Sequence, residues 1–248
     1  MYLLLSGEGP TDIGYCNMAL RQCKGSEFLP GPMAVMVDKL VEQAQGYELS
    51  HIDSGLVEFV SEKYLVDGAA DLKALRKSPS LPGVKKKKET LYFRRNARVL
   101  AKRALEKSDE TDGEVIAVLF RDSDDLASAG RGEWQDKWDS MIKGFEDEGY
   151  AHGIPMIPKP KSEAWLLCAL ANNYQHCTAL ENESGNDDGA HPLKDQLTAV
   201  VDNDSAQAMT QSVRDGEVDV QRIDMPSFNQ FKDHLRQVVS LVTGVPLS

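Results

Sequence analysis

The residues with the clearest capacity for chemistry are the aspartates that follow a short apolar run. The segment Glu114–Asp125 reads EVIAVLFRDSDD, and its β-branched residues predict a strand covered on both faces, as in a mostly parallel sheet. Asp122 and Asp124 are two residues apart, so in extended backbone their side chains point to the same side. Paired carboxylates repel unless a cation lies between them, and Mg²⁺ prefers oxygen ligands. The pattern predicts a magnesium site, with a solvated acidic turn as the alternative.

A further carboxylate stands in a glycine turn near the start of the chain. Tyr2–Leu5 is a predicted strand, and SGEGPTD follows it, with Gly7 and Gly9 on either side of Glu8. A carboxylate helps neither such a turn nor a core, so Glu8 is a candidate general base or metal ligand; an exposed turn residue is the alternative. The turn lacks the G-x-G-x-x-G and G-x-x-x-x-G-K-[ST] patterns, so it predicts neither a dinucleotide site nor a P-loop. We expect a helix over Asp12–Cys23.

The start of a later helix supplies another acidic residue and two cations. In KPKSEAWLL, Ser162 is the predicted N-cap, and Glu163 lies in the first turn, where the helix dipole favours its charge. That structural role is one interpretation of Glu163. The other is a fourth carboxylate, and a metal ligand, at the same corner of the sheet, with Lys159 and Lys161 offering charge to a phosphate.

The net charge of −11 is very unevenly distributed. Between Lys73 and Lys107 there are thirteen lysines and arginines and two acidic residues, so the rest of the chain is strongly acidic. On the helix predicted for Thr90–Lys107, cations repeat every four residues, and such like charges are unfavourable in an isolated helix. An anionic partner would relieve this, which predicts a phosphate-binding strip; a solvated loop and helix face is the alternative. The candidate residues are Lys85, Lys86, Lys87, Lys88, Arg94, Arg95 and Arg98.

Composition and targeting signals place the chain among globular, cytoplasmic proteins. Its 248 residues suffice for a sizeable core, and its apolar runs are far too short to span a membrane, so no membrane partner is expected. Met1 leads directly into a strand, without a signal peptide. The cysteines lack C-x-x-C spacing, and reduced, buried thiols are expected rather than disulfides or a zinc site. They are Cys16, Cys23, Cys168 and Cys177.

The periodicity of the remaining chain predicts an α/β fold, with a Rossmann-like, mostly parallel sheet flanked by helices. Residues 1–170 form the α/β domain with a basic helical insertion at about 31–107, and residues 171–248 form a helical C-terminal extension packed on it. Strands are expected at Glu48–Ile52 and Ala151–Ile157, and Leu56–Leu65 favours a helix. The other predicted helices are Met33–Gln45, Glu133–Glu148, Asp204–Ser212 and Pro226–Val242.

The order of these motifs resembles the Toprim superfamily. Its signature is a glutamate in a glycine turn after the first strand, then a later apolar strand that ends in Asp-x-Asp. LLLSGEGPTD and VIAVLFRDSDD carry the resemblance here, and the EGPTD form looks most like small bacterial Toprim-like proteins associated with phage defence. KPKSEAWLL resembles the Glu-bearing motif after the third strand of such proteins. The resemblance covers roughly residues 1–12 and 114–170.

The resemblance implies a Toprim-like fold and the roles of its acidic residues. Toprim-like enzymes use the glutamate as a general acid or base and the aspartate pair to hold Mg²⁺. Glu8, Asp122 and Asp124 would therefore be catalytic, and these three with Glu163 would hold Mg²⁺ or Mn²⁺. The stretch between the motifs is longer than in a minimal Toprim domain. Asp125 departs from the Asp-x-Asp-x-Glu spacing of topoisomerases and no nucleophilic-tyrosine domain is recognisable, so a topoisomerase is not expected.

These observations predict Mg²⁺-dependent cleavage of phosphodiester bonds in DNA or RNA, in phage defence. One alternative is a non-catalytic subunit that binds nucleic acid or a nucleotide as a sensor and needs a partner ATPase. Another is a basic interaction module that uses no metal.

Overall fold

A five-stranded sheet forms the centre of the computed structural model, which describes residues 1–75, 88–123, 131–171 and 177–246. The strand order is β3-β5-β1-β6-β7; β3 is antiparallel to β5, and the other four strands are parallel. Strands β2 and β4 form a separate antiparallel ribbon. The strands are β1 (Tyr2–Gly7), β2 (Gly14–Cys16), β3 (Gln22–Lys24), β4 (Phe28–Pro30), β5 (Val57–Ser61), β6 (Val115–Phe120) and β7 (Gly153–Met156).

Helices flank the sheet and make up the C-terminal part, which confirms the predicted α/β class. Helix α3 packs along α4, whereas α1 packs against α8 and α9. Both α1 and α9 begin with proline at the first helical position and end before a glycine in the left-handed conformation. The helices are α1 (Pro32–Gln45), α2 (Glu62–Leu75), α3 (Lys88–Thr111), α4 (Arg131–Glu146), α5 (Ser162–Leu170), α6 (Cys177–Leu180), α7 (Leu193–Val200), α8 (Ala206–Asp215) and α9 (Pro226–Thr243).

Strand β6 is fully covered, as its apolar run predicts. All six of its residues are buried, and so are Leu3, Leu4 and Leu5 of the neighbouring β1. The C-terminal helix joins the same core, because Phe228 and Phe231 pack their rings against Trp165 of α5. The carboxyl ends of β1 and β6 are therefore anchored to a rigid sheet.

Residues 31–107 are not a helical insertion, because they contain a central strand of the sheet. Val57–Ser61, predicted as helix, forms β5 between β3 and β1, and its polar residue Glu58 is buried against cations from α3. The strand predicted at residues 48–52 is absent from this described region, which forms turns. Within the described residues, the segment between β1 and β6 therefore contributes to the same sheet.

The helix predicted for Asp12–Cys23 is also wrong. A single turn of π-helix covers Gly9–Ile13, and β2 and β3 follow it. Gly14 has a φ of 110°, which lies outside the helical region and ends the turn after Ile13. The chain therefore leaves the end of β1 through a compact loop rather than a long helix.

The expectation of reduced thiols is contradicted, because the cysteines form two disulfides. Cys16 pairs with Cys23, and Cys168 pairs with Cys177, with Cα–Cα distances of 5.7 and 5.3 Å. All four are buried, as expected. Their separations of 7 and 9 residues match no motif, and only the loops of the fold bring them together.

No helix in the described part of the chain is both long and apolar enough to cross a membrane.

His234 on α9 should make the stability of the protein sensitive to mild acid. Its ring is packed edge-on against Trp138, and its Nε2 lies 3.2 Å from the carbonyl oxygen of Gly153. Burial lowers the pKa of His234, although the bond to this carbonyl opposes the change. The unfolded chain therefore binds the proton more tightly, and the free energy of unfolding falls as the pH drops through the ordinary histidine pKa of about 6.5.

The matched variant for this effect is His234→Gln, which keeps a donor for the carbonyl of Gly153 but does not titrate. Urea unfolding at pH 8 and pH 5.5 should show a smaller acid-induced loss of stability in the variant than in the wild type. An equal loss in both proteins would show that His234 does not contribute.

Candidate functional site

The site lies where two adjacent parallel strands end. Strands β1 and β6 are paired along their whole length, with Gly7 opposite Phe120. The chain passes from β1 to β5 on one side and later to β6 on the other, so the gap between β1 and β6 is the switch point where ligands bind in open α/β sheets. A Cβ atom on Gly7 would lie 2.7 Å from the carbonyl oxygen of Phe120. Only glycine therefore permits the close approach that sets Glu8 beside the end of β6.

Glu8 and Asp122 meet at this point. The backbone N–H of Asp122 donates to Oε1 of Glu8 at 3.0 Å, and Arg121 pairs with the other oxygen of the Glu8 carboxylate. The Oδ1 of Asp122 accepts from the backbone N–H of Ser162 at 3.0 Å. One of the predicted aspartates thus connects the glutamate after β1 with the first turn of α5.

Asp12 and Glu163 complete a group of acidic residues on the same side. The hydroxyl of Ser162 donates to Oδ1 of Asp12 at 2.6 Å and lies 3.4 Å from Oε2 of Glu163. These three residues line one cavity of about 250 Å³. We call Glu8, Asp12, Asp122 and Glu163 the acidic corner. The sequence placed Asp12 at the start of a predicted helix, and only its contact with Ser162, 150 residues away, identifies it as part of this site.

Two carboxyl groups of the acidic corner are in an environment that disfavours negative charge. Burial raises the pKa of Asp12, although the hydrogen bond from Ser162 opposes the increase. Burial also raises the pKa of Glu163, and the charge of Asp12 adds to that increase. A cation at the corner would stabilise both carboxylates.

Arg121 is a site residue that sequence reasoning missed. Besides Glu8, its guanidinium binds Oε1 of Glu62 at 2.9 Å and lies 4.5 Å from the centre of the Tyr92 ring. Burial acts to lower the pKa of Arg121, but Glu8 and Glu62 outweigh it and raise that pKa, so the side chain stays charged. The sequence gives one indication of this role. Arg121 directly follows β6 and precedes Asp122, so its side chain can reach the end of the neighbouring strand.

Several predicted residues lie outside the described part of the chain. They are Lys85, Lys86, Lys87, Asp124 and Asp125. Lys88 is the first residue of α3. Among the residues that the structure describes, no group of three or more His, Cys, Asp or Glu side chains is arranged to hold a metal ion.

The cations of α3 have acidic partners within the chain. Arg94 binds Asp147 at 2.7 Å, and Arg98 binds Glu148. Acidic residues just after α4 therefore reduce the repulsion between these arginines. Their spacing alone no longer requires a bound phosphate. The neighbouring Arg95 is half-buried.

The two lysines before α5 are placed differently from each other. Lys159 is buried, with only 6% of its surface exposed, whereas Lys161 pairs with Asp187 at 2.9 Å. Lys161 also occupies the N-cap position predicted for Ser162, so that Ser162 is the first residue of α5 and directs its N–H to Asp122. The N–H of Ser162 thus fixes the carboxylate of Asp122.

Comparison of the chain with protein-family models, curated proteins and solved structures finds no match. The function is therefore inferred from the acidic corner.

Proposed function

We propose that this protein is a Toprim-like enzyme that cleaves phosphodiester bonds of nucleic acid with Mg²⁺ or Mn²⁺, acting in the cytoplasm in phage defence. The observation that carries the proposal is the hydrogen bond of 3.0 Å from the backbone N–H of Asp122 to the carboxylate of Glu8, two residues that are 114 apart in sequence. The two short motifs on which the Toprim resemblance depends thereby become neighbours at the ends of β1 and β6. This contact argues against the alternatives in which Asp122 lies in a solvated turn and Glu8 is an exposed turn residue.

Two carboxylates of the acidic corner, those of Glu8 and Asp122, could be ligands of a hard divalent cation. Each carboxylate oxygen has two acceptor sites, so the contacts of Glu8 with Arg121 and with the N–H of Asp122 leave it able to accept further ligands. Mg²⁺ is commonly held by one or two carboxylates together with water and substrate phosphate, and an enclosing protein cage is not required. Glu8 and Asp122 would hold the ion, with Glu163 and Asp124 as the further proposed ligands. Bound there, it would polarise the phosphate and lower the pKa of a water molecule.

Other residues of the site would orient Asp122, balance charge on the phosphate and accept a proton. The N–H of Ser162 fixes the orientation of the Asp122 carboxylate, and the contacts of Arg121 with Glu62 and Tyr92 fix its guanidinium. That guanidinium would balance charge that develops on the phosphate oxygens. Glu8, beside it, would accept the proton of the attacking water as the bond between phosphorus and the leaving oxygen breaks.

The same contacts favour one alternative function. Both oxygens of Glu8 are engaged, one by Arg121 and one by the N–H of Asp122, so Glu8 also acts as a clamp between the ends of β1 and β6. If Glu8 had only this structural role, the protein would bind nucleic acid or a nucleotide without cleaving it. It would then serve as a sensor subunit for a partner ATPase.

Incubation of the purified protein with end-labelled DNA and RNA, single-stranded and duplex, separates the two functions. We expect shortened products in Mg²⁺ or Mn²⁺ and intact substrate in EDTA. Cleavage that continued in EDTA would contradict a metal-dependent enzyme. Binding without cleavage in either metal would support the sensor, and calorimetry that detected no binding of Mg²⁺ or Mn²⁺ would remove the metal site.

A further inference from the structure

An exposed aromatic residue stands on the ribbon that follows the acidic corner. In the ribbon, Tyr15 of β2 lies directly opposite Leu29 of β4, and opposite residues of paired strands point to the same face. The two residues are 49% and 39% exposed. The ribbon begins directly after the Gly9–Ile13 turn, so this apolar face is only seven residues beyond Glu8.

The face opens into a cavity of about 730 Å³ between the ribbon and α8. Its apolar walls include Pro10, Tyr15 and Leu29, and α8 contributes the polar side chains of Gln207 and Gln211. None of the described residues around the cavity carries a charge. Such a cavity does not suit a phosphate or a metal ion, but it suits a flat apolar group with hydrogen-bonding edges.

The cavity adjoins the acidic corner on two sides. Thr11 borders both this cavity and the smaller one that contains Asp12 and Glu163. Tyr15 likewise borders both this cavity and a groove of about 550 Å³ that contains Glu8. A ligand that occupied the uncharged cavity would therefore extend directly toward the carboxylates.

We propose that the uncharged cavity holds one unpaired base of a single-stranded nucleic acid, stacked on Tyr15, while the adjoining phosphate lies at the acidic corner. This inference rests on the proposed function, and it names the substrate class of that site. A nucleobase has apolar faces and polar edges, and aromatic side chains bind such faces with little dependence on sequence. In a duplex both faces of the base are covered by neighbouring base pairs and its edge is paired, so a duplex cannot fill the cavity without losing that base from its stack.

The hydrogen-bonding groups of α8 match the edge of a base. The carboxamide of Gln207 is exposed and offers both a donor and an acceptor. Gln211 donates one N–H of its carboxamide to Asp215 at 2.8 Å, and its carbonyl oxygen is an acceptor. Two neighbouring amides can therefore hydrogen-bond to the donors and acceptors on the edge of a base without any charged side chain.

Binding measurements test the inference independently of cleavage. Fluorescence anisotropy would follow labelled oligonucleotides of about 12 nucleotides, as single strands and as duplexes, in EDTA and in Ca²⁺, with a gel to verify that the probes stay intact. We expect single strands to bind about tenfold more tightly than duplexes, and Tyr15→Ala to weaken single-strand binding about tenfold. Tyr15→Phe should bind as the wild type does, because the ring that stacks is retained.

Two further variants complete the design. Tyr47→Ala is the matched control, because Tyr47 is 54% exposed but does not line the cavity, and it should leave binding unchanged. Gln207→Glu places a negative charge at an exposed position of the cavity wall and should weaken binding without affecting folding. Single-strand binding that was unaltered by both Tyr15→Ala and Gln207→Glu would overturn the inference.

Other outcomes separate this inference from the proposed function. Equal affinity for single strands and duplexes would overturn the inference while leaving metal-dependent cleavage untouched. Binding of a nucleoside monophosphate as tightly as the oligonucleotide would assign the cavity to a small ligand and overturn it too. Tyr15-dependent binding of single strands, whether DNA or RNA, by a protein that never cleaves them would support the inference and overturn the nuclease.

Discussion

Asp122→Asn should lower metal-dependent cleavage about a hundredfold or more while leaving the protein folded. The substitution removes the negative charge that is proposed to hold the cation, and metal ions contribute several kcal/mol to such reactions. The shape of the side chain is unchanged. Its remaining oxygen can still accept the N–H of Ser162, which is 3.0 Å from Oδ1 of Asp122. The start of α5 should therefore keep its position.

The control for Asp122→Asn is Asp53→Asn. Asp53 is 64% exposed and pairs with Arg214 on the surface, so its loss should change neither cleavage nor stability measurably. Initial rates in Mg²⁺ and urea unfolding would be measured for both variants and for the wild type. If Asp122→Asn were folded and kept more than about a tenth of the wild-type rate, Asp122 would not be a metal ligand in the sense proposed.

The parts of the site that the sequence predicts are those with a local signal. The apolar run of β6 ends at Asp122, and the glycine turn after β1 contains Glu8, so each carboxylate is marked by the strand before it. Because parallel strands end at the same edge of a sheet, their meeting follows once β1 and β6 are neighbours. Arg121 and Asp12 have no such local signal. Their roles depend on Glu62 and Ser162, whose positions are set by the tertiary fold.

Charge patterns along one helix were the least informative part of the sequence. The cations on α3 predict an anionic partner, and the structure supplies acidic residues of the same chain at the end of α4 and on β5. Nothing in the spacing of Arg94 or Arg98 distinguishes an internal carboxylate from a bound phosphate. Strand β5 was missed for a related reason. The glutamate in VEFVS predicts an exposed face, whereas Glu58 is in fact buried with its charge compensated.

Glu58→Gln should lower the free energy of unfolding by about 3–5 kcal/mol. Glu58 is 3% exposed, and its carboxylate accepts from Arg103 at 2.6 Å and from Lys107 at 3.1 Å. Both cations are themselves buried, so neutralising Glu58 leaves two desolvated positive charges without their nearest compensation. Loss of one member of a buried charged group is far more costly than loss of the whole group, because the remaining charges cannot return to water.

The pKa of Glu58 gives this prediction a pH signature. Burial acts to raise that pKa, but the hydrogen bonds from Arg103 and Lys107 outweigh it and hold the pKa below its ordinary value. The stabilisation is therefore complete at neutral pH and is lost as the pH falls through the lowered pKa, where the folded protein must take up the proton. Urea unfolding at pH 7 and at pH 3 should show a smaller acid-induced loss for Glu58→Gln than for the wild type.

Glu110→Gln is the matched control, because Glu110 binds the same guanidinium of Arg103 at 2.7 Å but is 52% exposed. An exposed ion pair contributes little, so this variant should lose far less stability than Glu58→Gln. Equal losses for the two glutamates would show that burial of Glu58 does not govern its contribution. A large loss for Glu58→Gln alone would show that the charges between α3 and β5 stabilise the strand that pairs with β1, and β1 is the strand that positions Glu8.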